Sequence, residues 1–201
     1  MQEDADRESG PFLTIPNMLS VARLVVVVPE LYFAAVGNKV VFLVLVSFAL
    51  FTDSIDGAIA RWLRQDSLLG AKLDSLGDLA TYVSIPICGW LLWPDIFIAE
   101  WVFAVMAILS YVLPVMVGLM RYRRVTSYHT WGAKLSAVLM GAAVLMLFMD
   151  ISPWPFRIFT PIATLAGIEE IAITFTLREW HANVPTFWHA RRIRAGDVPA
   201  P

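Results

Sequence analysis

Six stretches of this chain run apolar for long enough to cross a bilayer, and short polar breaks separate them. A crossing helix needs roughly 20 mostly apolar residues. The stretches lie near Met18 to Val36, Val40 to Leu63, Leu73 to Trp93, Ile96 to Met120, Ala133 to Phe148 with its flanks, and Ile158 to Leu177. Turn or breaker residues join several of them, at Gly37-Asn38, Trp93-Pro94-Asp95 and Ser152-Pro153-Trp154-Pro155. The expected fold is all-α: a single polytopic membrane domain over residues 1–201 with six transmembrane helices, an N-terminal segment 1–16 and a tail 179–201. The stretch PFLTIPNML, in which prolines interrupt apolar residues, reads equally as a short interfacial helix ahead of the first span or as an irregular leader.

Composition strengthens the membrane reading. The chain is 58% hydrophobic and only 16% charged, well below the usual quarter or so for soluble domains. Six spans put both termini on one face, with the loops after the second and fourth spans. Arg7, Arg61, Arg64, Lys72, Arg121, Arg123, Arg124, Lys134, Arg178 and the tail arginines fall on that face, whereas Lys39 and Arg157 alone flank the other. By the positive-inside rule the basic face is cytoplasmic, and a cell inner membrane is the expected location. The acidic opening MQEDADRESG has no basic n-region, so no cleaved signal peptide is expected. Cys88, the single cysteine, lies in an apolar stretch and reads as a small packing residue. No nucleic-acid footprint is visible.

Four aspartates then change the picture. Asp53 and Asp56 are three apart, Asp74 and Asp78 four apart, so each pair projects from one helical face. The expected turn Arg64 to Gly70 lets the two helices run antiparallel, and all four carboxylates converge near the cytoplasmic ends of adjacent spans. One unpaired carboxylate at membrane depth costs roughly 2.5 to 3.5 kcal/mol, and four together repel one another, so a positive partner is required. With no histidine or cysteine nearby, an oxygen shell suits a hard cation such as Mg²⁺, Mn²⁺ or Ca²⁺. Gly57 and Ala60 open space beside the carboxylates, Gly70 leaves the cavity clear, and Arg61 is placed to hold a phosphate or orient a carboxylate. Together these point to a metal–diphosphate site. A cation channel or carrier also places carboxylates between helices, but leaves Gly57, Ala60 and Arg61 without a purpose. A membrane prenyltransferase spaces its aspartates differently, and helix caps alone would not need both pairs in register.

Written out, Asp53-x2-Asp56-Gly57-x2-Ala60-Arg61-x8-Gly70-x3-Asp74-x3-Asp78 resembles the full signature of the CDP-alcohol phosphotransferases, also called CDP-alcohol phosphatidyltransferases. The resemblance implies a homodimeric phospholipid-synthesis enzyme that takes CDP-diacylglycerol and a small alcohol, uses Mg²⁺ or Mn²⁺, and releases CMP. It implies that Asp53, Asp56 and Asp74 bind metal, with Asp78 as a further ligand and general base. Gly57, Ala60 and Gly70 would shape the nucleotide pocket, and Arg61 would contact the nucleotide or steady the site. A non-catalytic partner that keeps only the fold is the remaining alternative, and the intact signature argues against it.

The acceptor side is less defined. Arg121 and Lys134, nearest the spans, and Arg23, inside the first span, are the residues expected to hold an acceptor or lipid phosphate. Arg23 needs a partner, and the aspartates, a lipid phosphate or the interface itself would each serve. Arg123 and Arg124 read as headgroup contacts, His129 as an interfacial polar residue, and the tail ARRIR as a membrane-surface anchor. Glu169 and Glu170, in the sixth span, receive no role. The opening TIPNMLSVARL resembles phosphatidylglycerophosphate synthases, whereas GAKLDSLGDLATY is closer to the phosphatidylserine synthase branch. Ser75 and Leu79 stand where the former branch has Pro and Lys. Glycerol 3-phosphate, serine and an inositol phosphate all remain compatible acceptors.

Overall fold

A computed structural model describes residues 14–63, 68–123, 128, 130–181 and 184–197, and of residues 56–61, 63, 68, 69, 71 and 72 only the backbone. Among the described residues the chain is helical without strands. Five of the described helices are long and apolar enough to cross a membrane, and the remaining expected span, Val40 to Leu63, falls within a sixth long helix, Lys39–Leu63. The protein is an integral membrane protein. It divides into two units, residues 1–98 and 99–201.

In the first unit, α1 (Ile15–Ala35), α2 (Lys39–Leu63) and α3 (Leu68–Leu92) form a three-helix group followed by the short α4 (Pro94–Ala99). α1 starts at Thr14, whose hydroxyl accepts from the Asn17 N–H at 3.3 Å, with Pro16 in the first turn. The Ile15–Leu19 part of the suspected interfacial element is therefore the opening of the first span itself; residues 11–13 lie outside those described. α1 ends in a tight turn at Gly37 (φ 75), where Asn38 caps α2 by accepting from the Val41 N–H at 3.1 Å.

Packing is arranged as expected for a helix whose outer solvent is lipid. Along α1, Asn17, Ser20, Arg23, Glu30 and Ala34 are buried, while Met18, Val25, Val28 and Tyr32 are exposed. α3 answers with Gly77, Thr81, Ser84 and Cys88, a stripe of small residues that allows close approach. α1 packs along both α2 and α3, which touch each other only sparsely. α1 thus stands between the two aspartate-bearing helices, which meet through it more than through each other. The expected turn is shorter, because Leu68–Gly70 already belong to α3.

The second unit holds α5 (Trp101–Tyr122), α6 (Trp131–Phe148), α7 (Trp154–Thr176) and α8 (Phe187–Ala195). α7 is central and packs against the other three. Gly167 makes its contact with α5 possible: an added Cβ would lie 2.4 Å from the Ser110 carbonyl oxygen. The fourth span does not begin at Ile96. The chain breaks at Glu100, which ends one helix and precedes the next, because its buried carboxylate is held by Arg157 of α7 through Nε at 2.9 Å and Nη2 at 2.5 Å. The tail likewise contains a helix, α8, that its polar sequence does not announce.

Candidate functional site

Arg23 sits two turns into α1, on the polar face, with no exposed surface. Its guanidinium gathers the signature. Nη1 donates to Asp53 Oδ1 of α2 and, at 2.7 Å, to Asp78 Oδ1 of α3; Nη2 donates to Asp74 Oδ1 at 2.5 Å. The arginine does not snorkel to the interface, because three carboxylates hold its two terminal nitrogens inside the helix group. Gly77, one residue before Asp78, faces the guanidinium: a Cβ there would be in ordinary van der Waals contact, 3.4 Å from the Arg23 guanidinium carbon and 3.5 Å from the Ser20 carbonyl oxygen.

The three carboxylates each offer an oxygen, and these lie within 4.8 Å of one another. Opposite ligands of a small hard cation stand about 4.2 Å apart when each bond is 2.0 to 2.1 Å, so the cluster is of a size to close on such an ion. Charge agrees with size. Three carboxylates meet one guanidinium, an excess of acidic groups that suits a cation. The three side chains are also partly open, at 32%, 31% and 29% exposed for Asp53, Asp74 and Asp78. That opening leaves the carboxylates within reach of a ligand from outside the helix group. The donor set and its accessibility therefore fit a hard divalent cation approached by a phosphate.

The other signature positions are less complete. Asp56, Gly57, Ala60 and Arg61 lie on the helical backbone of α2, but their side chains fall outside those described. Gly70 is half-buried in the first turn of α3. In the second unit, Arg121 is exposed in the last turn of α5, its guanidinium 5.8 Å from the Tyr122 ring centroid. Lys134 is exposed in the first turn of α6, 5.9 Å from the Trp131 ring centroid. Arg123 ends α5 in a left-handed conformation (φ 54). Arg124 and His129 lie outside the described residues.

The sequence does not reveal the partners of Tyr122, Tyr128 and Thr130, described residues between Arg121 and Lys134. The Tyr122 hydroxyl donates to the Thr174 carbonyl oxygen at 2.7 Å, with the Leu177 carbonyl oxygen 3.0 Å away. The Tyr128 hydroxyl meets Thr174 Oγ1 at 3.0 Å, and burial pushes this phenol's pKa above its ordinary value. Thr130 caps α6 by accepting from the Ala133 N–H at 3.1 Å. Glu169 gains a partner too: it accepts from the Phe187 N–H at 2.9 Å and so anchors α8. Glu170 remains without an assigned role. The two tyrosines in the run from Arg121 to Lys134 are the only local signal that could have pointed to these contacts.

Comparison with known proteins bears on this geometry. A model of the CDP-alcohol phosphatidyltransferase family matches residues 13–182. A cardiolipin synthase (CMP-forming) of Streptomyces coelicolor is 31% identical over 200 residues, covering 94% of this chain and 87% of that protein. A CDP-diacylglycerol–glycerol-3-phosphate 3-phosphatidyltransferase of Aquifex aeolicus is 41% identical over 66 residues, 33% of this chain and 37% of its own length. A putative cardiolipin synthase of Mycobacterium tuberculosis is 44% identical over 79 residues, 37% of this chain and 36% of its own length. The chain thus spans little more than a third of the latter two relatives. No solved structure gives a significant match.

Proposed function

Because this chain belongs to the CDP-alcohol phosphatidyltransferase family, we propose that it transfers a phosphatidyl group from CDP-diacylglycerol to a small alcohol and releases CMP. The observation that carries this reading is the meeting of Asp53, Asp74 and Asp78 on one buried arginine, with a carboxylate oxygen of each within 4.8 Å of the others. A divalent cation, Mg²⁺ or Mn²⁺, would be held by Asp53, Asp74 and Asp78 together with Asp56. When bound, it supplies charge neutralisation of the diphosphate and polarises the phosphorus–oxygen bond.

The remaining work belongs to the protein's own groups. Arg23 fixes the three carboxylates against their mutual repulsion and holds the two aspartate helices to α1. Asp78 accepts the proton of the acceptor hydroxyl as its oxygen attacks the lipid-side phosphorus, a role that requires hydrogen-bond reach or one intervening water. The phosphorus–oxygen bond to CMP breaks as the new ester bond forms. Gly57, Ala60 and Gly70 leave room for the nucleotide, and Arg61 contacts its phosphates or steadies the carboxylates. Arg121 and Lys134 provide positive charge for an acceptor that carries a phosphate.

The relatives' names support a glycerol-headed acceptor. Cardiolipin is phosphatidylglycerol with a second phosphatidyl group, and the relative aligned over nearly the whole chain is a cardiolipin synthase. We therefore place phosphatidylglycerol first and glycerol 3-phosphate, the acceptor named for the Aquifex relative, second. Both join a glycerol hydroxyl to a phosphate. The concentration of basic residues on one face supports a cytoplasmic site and cytoplasmic termini.

The test is incubation of purified protein with labelled CDP-diacylglycerol and each of phosphatidylglycerol, glycerol 3-phosphate, serine and inositol phosphate, identifying the lipid product by mass. Mg²⁺- or Mn²⁺-dependent CMP release with a glycerol-headed acceptor is expected, and EDTA abolishes it. Release with serine alone would overturn the acceptor, and no release across the panel would overturn the activity.

A further inference from the structure

The transfer reaction makes no use of α8, yet this helix is built with care. It spans nine residues, Phe187–Ala195. On one side Ala190 is fully buried, with Phe187 and Ile193 packed against Tyr128, Ile173, Leu177 and Val184. On the other, Trp188 is 69% exposed and Arg191, Arg192 and Arg194 all face outward. The Arg191 guanidinium lies 5.6 Å from the Trp188 ring centroid.

Three contacts fix the orientation of this face. Thr186 caps the helix by accepting from the His189 N–H at 3.2 Å, Glu169 of α7 accepts from the Phe187 N–H at 2.9 Å, and the Trp131 N–H at the start of α6 donates to the Pro185 carbonyl at 3.3 Å. The buried side rests on Ile173 and Leu177, at the end of a membrane-crossing helix. The outward side is thus held where the chain leaves the hydrocarbon, with an indole of the kind that seats at headgroup level. No acidic residue lies within α8 to neutralise its arginines.

We propose that the outward face of α8 binds anionic phospholipid headgroups, with Arg191, Arg192 and Arg194 on the phosphates and Trp188 in the interface, and that this contact steadies the start of α6 through Tyr128 and Trp131. The chemistry selects the ligand: fixed guanidiniums recognise phosphate oxygens, and an amphipathic helix at the bilayer edge meets them in two dimensions. Each cationic residue near an anionic surface raises partition by roughly fivefold, so three together contribute about a hundredfold. The inference does not depend on the proposed reaction, because no step of transfer enters it.

Hydrogen exchange of the full-length chain in lipid nanodiscs tests it. Peptides covering 184–197 and 130–136 are followed in discs of phosphatidylcholine alone and in discs that also contain phosphatidic acid, an anionic lipid with no alcohol to act as acceptor. Exchange in both peptides is expected to slow severalfold in the anionic discs and to return to the neutral-disc rate in high salt. Arg191→Gln/Arg192→Gln/Arg194→Gln loses the difference, and the corresponding triple lysine variant keeps it. Equal exchange of the unaltered protein in the two discs overturns the proposal, as does a difference that survives the triple glutamine change. Protection of neutral discs by soluble polyglutamate, equal to that given by the anionic lipid, overturns the membrane as occupant. Protection of 184–197 without 130–136 overturns the link to α6.

Discussion

Arg23→Gln removes the one cation that joins Asp53, Asp74 and Asp78, and its cost can be worked from their surroundings. Removing one partner of a buried ion pair costs about 3 to 5 kcal/mol, because the remaining charge is left uncompensated. Here three carboxylates are left, but each keeps roughly a third of its side chain accessible, at 32%, 31% and 29%. Water therefore recovers part of the loss, and the lower end, about 3 kcal/mol, applies. For a chain of this size each kcal/mol moves Tm by about 2 to 4 °C, so a fall of about 6 to 12 °C is expected. The assay is heating of detergent-purified protein followed by the loss of its monodisperse elution peak, in EDTA and in Mg²⁺. Mg²⁺ at a hundred times its Kd should raise both proteins by about 2.7 kcal/mol, and the fall should shrink by as much as the variant, freed of the competing guanidinium, binds the ion more tightly. An Arg23→Gln protein within the roughly 0.5 kcal/mol of an ordinary surface substitution, measured in EDTA, would refute the clustered-charge argument. Melting of both proteins that does not change between EDTA and Mg²⁺ would refute the aspartates as its ligands.

Other consequences are as direct. Asp78→Asn should lower CMP release by about a hundredfold to ten-thousandfold while leaving CDP-lipid binding measurable; more than a tenth of normal turnover would remove Asp78 as the base. Gly167→Ala puts a methyl group 2.4 Å from the Ser110 carbonyl oxygen, and forcing the two helices apart should cost about 1 to 3 kcal/mol by thermal unfolding. Tyr122→Phe deletes the hydroxyl that donates to Thr174 and should cost about 1 kcal/mol. Tyr128 is held protonated by burial. Its contribution to stability is therefore full below about pH 10 and declines as pH rises from there toward the raised folded value; Tyr128→Phe should flatten that part of the stability profile.

The aspartates were legible because helical spacing is local: three and four residues apart is enough to put side chains on one face. Arg23 was legible as a residue in need of a partner but not as one with three, since Asp53 and Asp78 lie 30 and 55 residues away. No short-range pattern reports such distances. The wedge of α1 between α2 and α3 was hidden for a related reason. Short connections favour pairing of consecutive helices, and only the buried polar face of α1, from Asn17 to Glu30, tells against it. The break at Glu100 was masked by the apolar run on either side, because the residue that stabilises it, Arg157, is 57 positions on. α8 escaped notice because its apolar side is only a few residues wide and becomes a face when Tyr128, Ile173 and Leu177 receive it.

The central place of α1 also bears on how the protein is made. Arg23 leaves the ribosome first, and the carboxylates that satisfy it follow 30, 51 and 55 residues later. At about 5 to 20 residues per second, the last arrives some 3 to 11 seconds after the arginine. During that interval the first helix carries a charge that lipid alone does not accommodate. Nascent chains arrested before Asp74 should therefore hold α1 loosely, open to carbonate extraction, whereas chains arrested beyond α3 should resist it. Insertion of the first helix becomes an act completed by the third.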